Sequence, residues 1–117
     1  MSSGVGTSGV AVDNTAQVLA LTVRRGPKAF PPDRIVTLRC SPPSGSHPRP
    51  VFACRVLAVV GGDPTKLDLS PGANCPKIFA PVSVAALGTW NGNRIRVERT
   101  FGNACLLKAA TGPVFDF

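Results

Sequence analysis

The chain has no tyrosine, one histidine, one tryptophan and only six acidic residues among its 117. Each scarcity removes a kind of chemistry. His47, the sole histidine, lies in a proline-rich turn with no second histidine to complete a metal site, so it reads as a turn residue rather than a general base. The carboxylates Asp13, Asp33, Asp63, Asp68, Glu98 and Asp116 form no recognisable acid/base pair. No nucleophile-elbow serine and no Cys-His signature is present, so no enzyme is expected and no cofactor is implied. The longest apolar run, Val56 to Val60, is far too short to cross a membrane, which predicts a soluble protein with no membrane partner.

Thirteen lysines and arginines leave a net charge of +7, which favours acidic surfaces. Yet the basic residues are scattered from Arg24 to Lys108, with no aromatic residues interleaved as stacking platforms for bases. Nucleic acid is therefore not expected as a partner. Arg94, Arg96 and Arg99 could act together as a cationic strip, but a solvated strand face is the preferred reading.

The four cysteines, Cys40, Cys54, Cys75 and Cys105, are even in number, far apart and without a C-x-x-C pair, which speaks against zinc and for two disulfides. Three connectivities are open. Sequential pairing would close two loops whose entropies contribute roughly 3 to 4 kcal/mol each. Disulfides imply an oxidising compartment and hence a secreted protein. Met1 to Gly9 is small and polar and has no signal-peptide pattern, so a mature form is expected.

One domain fits this length. Residues 1–14 are rich in glycine and serine and should form a flexible tail ahead of a domain over 15–117. Gly4 to Gly9 satisfies G-x-G-x-x-G, but no strand precedes it and no helix pattern follows. Val18 to Val23 reads as a strand. Arg34 to Cys40 reads as a second, with Val36, Leu38 and Cys40 on one face and Ile35, Thr37 and Arg39 on the other. After a loop over Ser41 to His47, Arg49 to Val60 reads as a helix with Pro50 in its first turn, Cys54, Leu57 and Ala58 on one face, and Gly61-Gly62 as its stop, with a strand as the alternative on Val51, Val56, Val59 and Val60.

A long irregular passage begins at Asp63-Pro64 and ends in Asn74-Cys75-Pro76-Lys77-Ile78-Phe79-Ala80-Pro81. Connections of that length are usually functional or disordered, and Cys75 argues against disorder. Pro76 and Pro81 stiffen the stretch and hold their predecessors extended. A protease would meet Lys77-Ile78 as a cleavable bond. Val82 to Trp90 and Asn93 to Thr100 then form a hairpin around Asn91-Gly92. Trp90 is expected to pack in the core or against the hairpin. The ending, Pro113 to Phe117, reads as a short strand. The sum is a mostly antiparallel sheet with one or two helices, an α+β class, with no internal repeat.

Many ordered landmarks resemble the Streptomyces subtilisin inhibitor family: Val36-Thr37-Leu38-Arg39-Cys40, Gly45-Ser46-His47-Pro48, Cys54, Val60-Gly61-Gly62-Asp63, Cys75-Pro76-Lys77, Pro81-Val82, Trp90-Asn91-Gly92, Glu98-Arg99, Phe101-Gly102-Asn103-Ala104-Cys105 and Val114-Phe115-Asp116-Phe117. The resemblance spans nearly the whole chain after the tail. It implies a five-stranded antiparallel sheet with two short helices, a homodimer, and disulfides Cys40-Cys54 and Cys75-Cys105. It also implies a secreted serine-protease inhibitor whose reactive bond is Lys77-Ile78, with Asn74, Cys75 and Pro76 ahead, Ile78, Phe79, Ala80 and Pro81 behind, and Asn103 bracing the loop.

Lys77 suits a specificity pocket with a buried carboxylate, as in trypsin-like enzymes, where the family's namesake carries methionine. Asn74 stands where many members carry a larger apolar residue. Trypsin-like and subtilisin-like proteases are both implied as partners. A secreted binding or structural module with an incidental Lys77 loop is the competing reading. Val18, Leu19 or Val97 would face either a second copy or the helices.

Overall fold

The structure, a computed structural model, describes residues 15–117. The expected tail over 1–14, with its Gly4 to Gly9 run, lies outside them.

The central strand, β1 (Gln17–Arg25), is a run of apolar and β-branched residues. It pairs antiparallel with β2 (Arg34–Cys40) on one side and with β4 (Val82–Trp90) on the other. A two-residue β3 (Pro43–Ser44) extends one edge, and β5 (Asn93–Phe101) forms the other. The sheet has five strands in the order β3-β2-β1-β4-β5. The hairpin between β4 and β5 turns where the sequence predicts, with Asn91 at φ 51° and Gly92 at φ 85°. Gly88 is needed for strand contact: at its φ of +154° a Cβ would stand 2.0 Å from the Val18 carbonyl oxygen.

Register decides which residues reach the core. Leu19 opposes Leu38, and Leu21 opposes both Val36 and Ala86; Ala86 in turn opposes Val97, so all of these share one face. On that face sit α1 (Pro50–Val59) and α2 (Ala104–Thr111), whose buried residues join the same cluster. Leu19 and Val97 therefore face the helices, while Val18 lies on the opposite face. That outer face is covered at one end by the β1–β2 connection, where Ser83 donates to the Gly26 carbonyl at 2.7 Å.

Three expectations change in detail. α1 buries Ala53, Cys54 and Leu57, leaving Ala58 exposed. Residues 113–117 form successive turns and no strand: Val114 donates to Thr111 and Asp116 to Pro113, and the adjacent Val114 and Phe115 are both buried where a half-buried strand would alternate. Arg99 lies on the helix face, stacked 4.4 Å from the Phe101 ring centroid and donating to the Thr65 and Leu67 carbonyls, so it forms no strip with Arg94 and Arg96 on the other side.

Candidate functional site

The long irregular segment is organised by α2. At the helix's C-terminal end Leu69 donates to Ala110 at 3.0 Å and Ser70 to Ala109 at 2.9 Å, satisfying carbonyls that have no partner within the helix. Leu67 is buried just before this contact. At the other end of the same helix Cys75 is joined to Cys105. The second disulfide joins Cys40 to Cys54 and fastens α1 to β2. Both pairs are those the resemblance implies.

Asn103 works in two directions. Its Oδ1 accepts from Leu106 at 3.0 Å and so caps the N-terminus of α2. Its Nδ2 donates to the Pro76 carbonyl at 3.0 Å and to the Ile78 carbonyl at 2.9 Å. The cap fixes the rotamer that aims the amide at the loop. Beyond Ile78, Ala80 donates to Gly102 at 2.9 Å and Gly26 donates to the Pro81 carbonyl at 2.8 Å, after which the chain enters β4.

Between these anchors the loop faces water. Ile78 is 61% and Phe79 83% exposed, and Asn74, Pro76, Lys77 and Ala80 are exposed as well; Cys75 and Pro81, near the two anchored ends, are half-buried. The structure thus brings together every residue the sequence singles out around Lys77-Ile78, with Asn103 beneath them. Residues 74–81 carry no regular secondary structure.

The chemistry of this arrangement is presentation, with peptide groups on either side of one bond held from behind. His47 does not contribute. It is 3% exposed, its Nδ1 accepts from the Arg49 amide at 3.0 Å, and its Nε2 therefore carries the proton donated to the Val114 carbonyl at 2.9 Å. Sequence reading took it for a turn residue, whereas it lies in irregular chain, buried, and makes this link between the start of α1 and the chain's end. That reading also missed the carbonyls of Gly102, Ala109 and Ala110, which no side-chain pattern marks.

The site is thus a braced, outward-facing loop on a five-stranded antiparallel sheet that is backed by two helices and fastened by two disulfides. The chain belongs to the subtilisin inhibitor-like family, whose family model matches residues 15–103. That family consists of protease inhibitors, not enzymes. Among curated relatives, the chain is 47% identical to subtilisin inhibitor-like protein 5 of Streptomyces fradiae, over 85% of this chain and 95% of the relative. It is 43% identical to the subtilisin inhibitor of Streptomyces albogriseolus, over 85% of this chain and 71% of that protein. Its identity to trypsin inhibitor STI2 of Streptomyces longisporus is 44%, over 85% and 71%. Among solved structures, it is similar to Streptomyces caespitosus sermetstatin, crystallised in complex with Bacillus licheniformis subtilisin, with a TM-score of 0.70, 32% identity, and coverage of 87% of this chain and 99% of that one.

Proposed function

We propose that this protein inhibits serine proteases by binding as a substrate does, with Lys77-Ile78 as the bond presented to the enzyme. The observation that carries the reading is the single Asn103 amide holding the carbonyls of Pro76 and Ile78, one on each side of that bond. An extended loop with little freedom left to lose docks at a small entropic cost by main-chain pairing. Acylation would break the bond between the Lys77 carbonyl carbon and the Ile78 nitrogen. The disulfide at Cys75 and the bonds to Ile78 and Ala80 would keep the two new ends adjacent. The Ile78 amine then attacks the acyl-enzyme in competition with water, and the complex accumulates.

Lys77 selects trypsin-like enzymes, because an ammonium entering a carboxylate-floored pocket replaces lost hydration with an ion pair. Subtilisin-like enzymes are a second target, met mainly through main-chain pairing. The inhibitor named for trypsin among the relatives supports the first target, and those named for subtilisin support the second. The two cystines fit an oxidising, extracellular setting. We further propose a homodimer through the outer sheet face, where Ile35 is 59% exposed and Phe30 and Leu87 add apolar area.

The test is a titration of trypsin and of subtilisin with wild type and with Lys77→Asp, followed by mass analysis of the recovered inhibitor. Wild type should abolish trypsin activity stoichiometrically and return intact or cut only after Lys77. The variant should lose at least about a hundredfold in trypsin affinity, the effect of placing like charges in a buried site. Unchanged trypsin inhibition by the variant would mean that another bond is presented.

A further inference from the structure

The outward side of α1 carries a feature the loop does not explain. Within Pro50–Val59 the only charged residue is Arg55, and a surface helix normally turns a polar stripe to water. Here Phe52 is 54% and Val59 83% exposed. Phe52 and Val56 line a cleft of about 420 Å³ completed by Arg49, Arg55, Lys108 and Pro113. The Arg55 guanidinium stands 5.8 Å from the Phe52 ring centroid.

Charge indicates the kind of occupant. Arg49 is already paired with Asp116 at 2.6 Å, whereas Arg55 and Lys108 have no ion pair among the described residues. A second copy laid on the same face would bring Arg55 and Lys108 against their own duplicates and be repelled. We propose that this cleft docks an acidic segment of another protein, one whose apolar side chains alternate with carboxylates. Its apolar groups cover Phe52 and Val56, and its carboxylates meet Arg55 and Lys108. The cleft adjoins the C-terminal end of α2, while the N-terminal end holds the loop through Asn103 and Cys105. Eight helical residues, about 12 Å, separate the two ends, so the cleft and the loop are distinct sites at opposite ends of one helix. This proposal does not depend on the inhibitory reading.

The experiment is fluorescence anisotropy of a labelled peptide alternating Glu with Leu and Phe, titrated with the full chain. Saturable binding is expected, weakened about tenfold by Phe52→Ser and by Arg55→Glu. Both side chains are exposed, and a thermal melt checks that the variants remain folded. Absence of saturable binding would overturn the proposal. So would equal binding of a peptide with Lys in place of Glu, or undiminished binding by Phe52→Ser, which would reduce the effect to attraction by a chain of net charge +7. Sedimentation showing that Phe52→Ser abolishes self-association would overturn it too, by making a second copy the occupant.

Discussion

The side-chain nitrogen of Asn103 lies 2.9 Å from the carbonyl oxygen of Ile78, beyond the bond that the loop presents. The same side chain caps α2, so loop bracing and helix stability share one residue and need to be separated. Asn103→Ser keeps a capping hydroxyl but cannot reach the loop, whereas Asn103→Ala removes both roles. Losing two hydrogen bonds of about 1 kcal/mol each should speed protease cleavage after Lys77 by about tenfold to a hundredfold in both variants. Only the alanine variant should lose a further 1 kcal/mol or so of folding stability. Cleavage kinetics with a denaturant titration measure both, and a serine variant that resists cleavage as wild type does would remove Asn103 from the mechanism.

The two disulfides should separate in the same manner. Cys75–Cys105 spans 30 residues and Cys105 is exposed, while Cys40–Cys54 spans 14 with Cys54 buried. Mild reductant should open the loop disulfide first, since exchange needs access to sulfur. The double variant Cys75→Ser/Cys105→Ser should lose about 3 to 4 kcal/mol and be consumed as a substrate. Cys40→Ser/Cys54→Ser should lose about 3 kcal/mol yet remain a lasting inhibitor wherever it is folded. Thiol labelling during reduction, with residual activity assays, gives the order and the consequence.

Gly61 and Gly62 both end α1 with positive φ, at 63° and 82°, but only Gly62 lies against another side chain. A Cβ at Gly62 would come within 2.5 Å of the Trp90 ring, whereas one at Gly61 would meet nothing within 4 Å. Gly61→Ala should cost about 1 kcal/mol from backbone strain alone. Gly62→Ala should cost about 1 to 3 kcal/mol more, because the ring must shift within a packed core. Trp90 is the chain's single tryptophan, so its emission should move in the second variant and not in the first.

These contrasts show what the sequence could and could not express. Alternation in Arg34–Cys40 and the Asn91-Gly92 turn were legible because strand faces and positive-φ turns leave side-chain signatures. The loop around Lys77 was legible through its prolines and cysteine, and its brace through resemblance. Val114-Phe115-Asp116-Phe117 looked like a strand because apolar residues predominate. The segment pairs with neither edge strand and instead turns to pack Val114 and Phe115 side by side in the core. Arg99 is exposed, as expected, but does not share a face with Arg94 and Arg96, because its odd-numbered register sets it with Val97 and Phe101 on the side of the helices. Backbone carbonyls that hold the loop, such as Gly102, are invisible to any reading of side chains.

His47 ties the beginning of α1 to that same C-terminal segment, and its loss should therefore be structural. In His47→Ala the Val114 carbonyl loses its donor at 2.9 Å and the Arg49 amide loses its acceptor at 3.0 Å. The ring's edge-on contact with Phe117, 5.7 Å between centroids, also disappears, leaving a gap beneath the chain's end. Unsatisfied buried groups and lost packing together should lower stability by about 2 to 4 kcal/mol. None of these contacts reaches residues 74–81, so stoichiometric inhibition should survive at temperatures where the variant is folded. Thermal unfolding and active-site titration of the same sample test both halves, and lost inhibition by a folded His47→Ala would place the histidine in the loop's support after all.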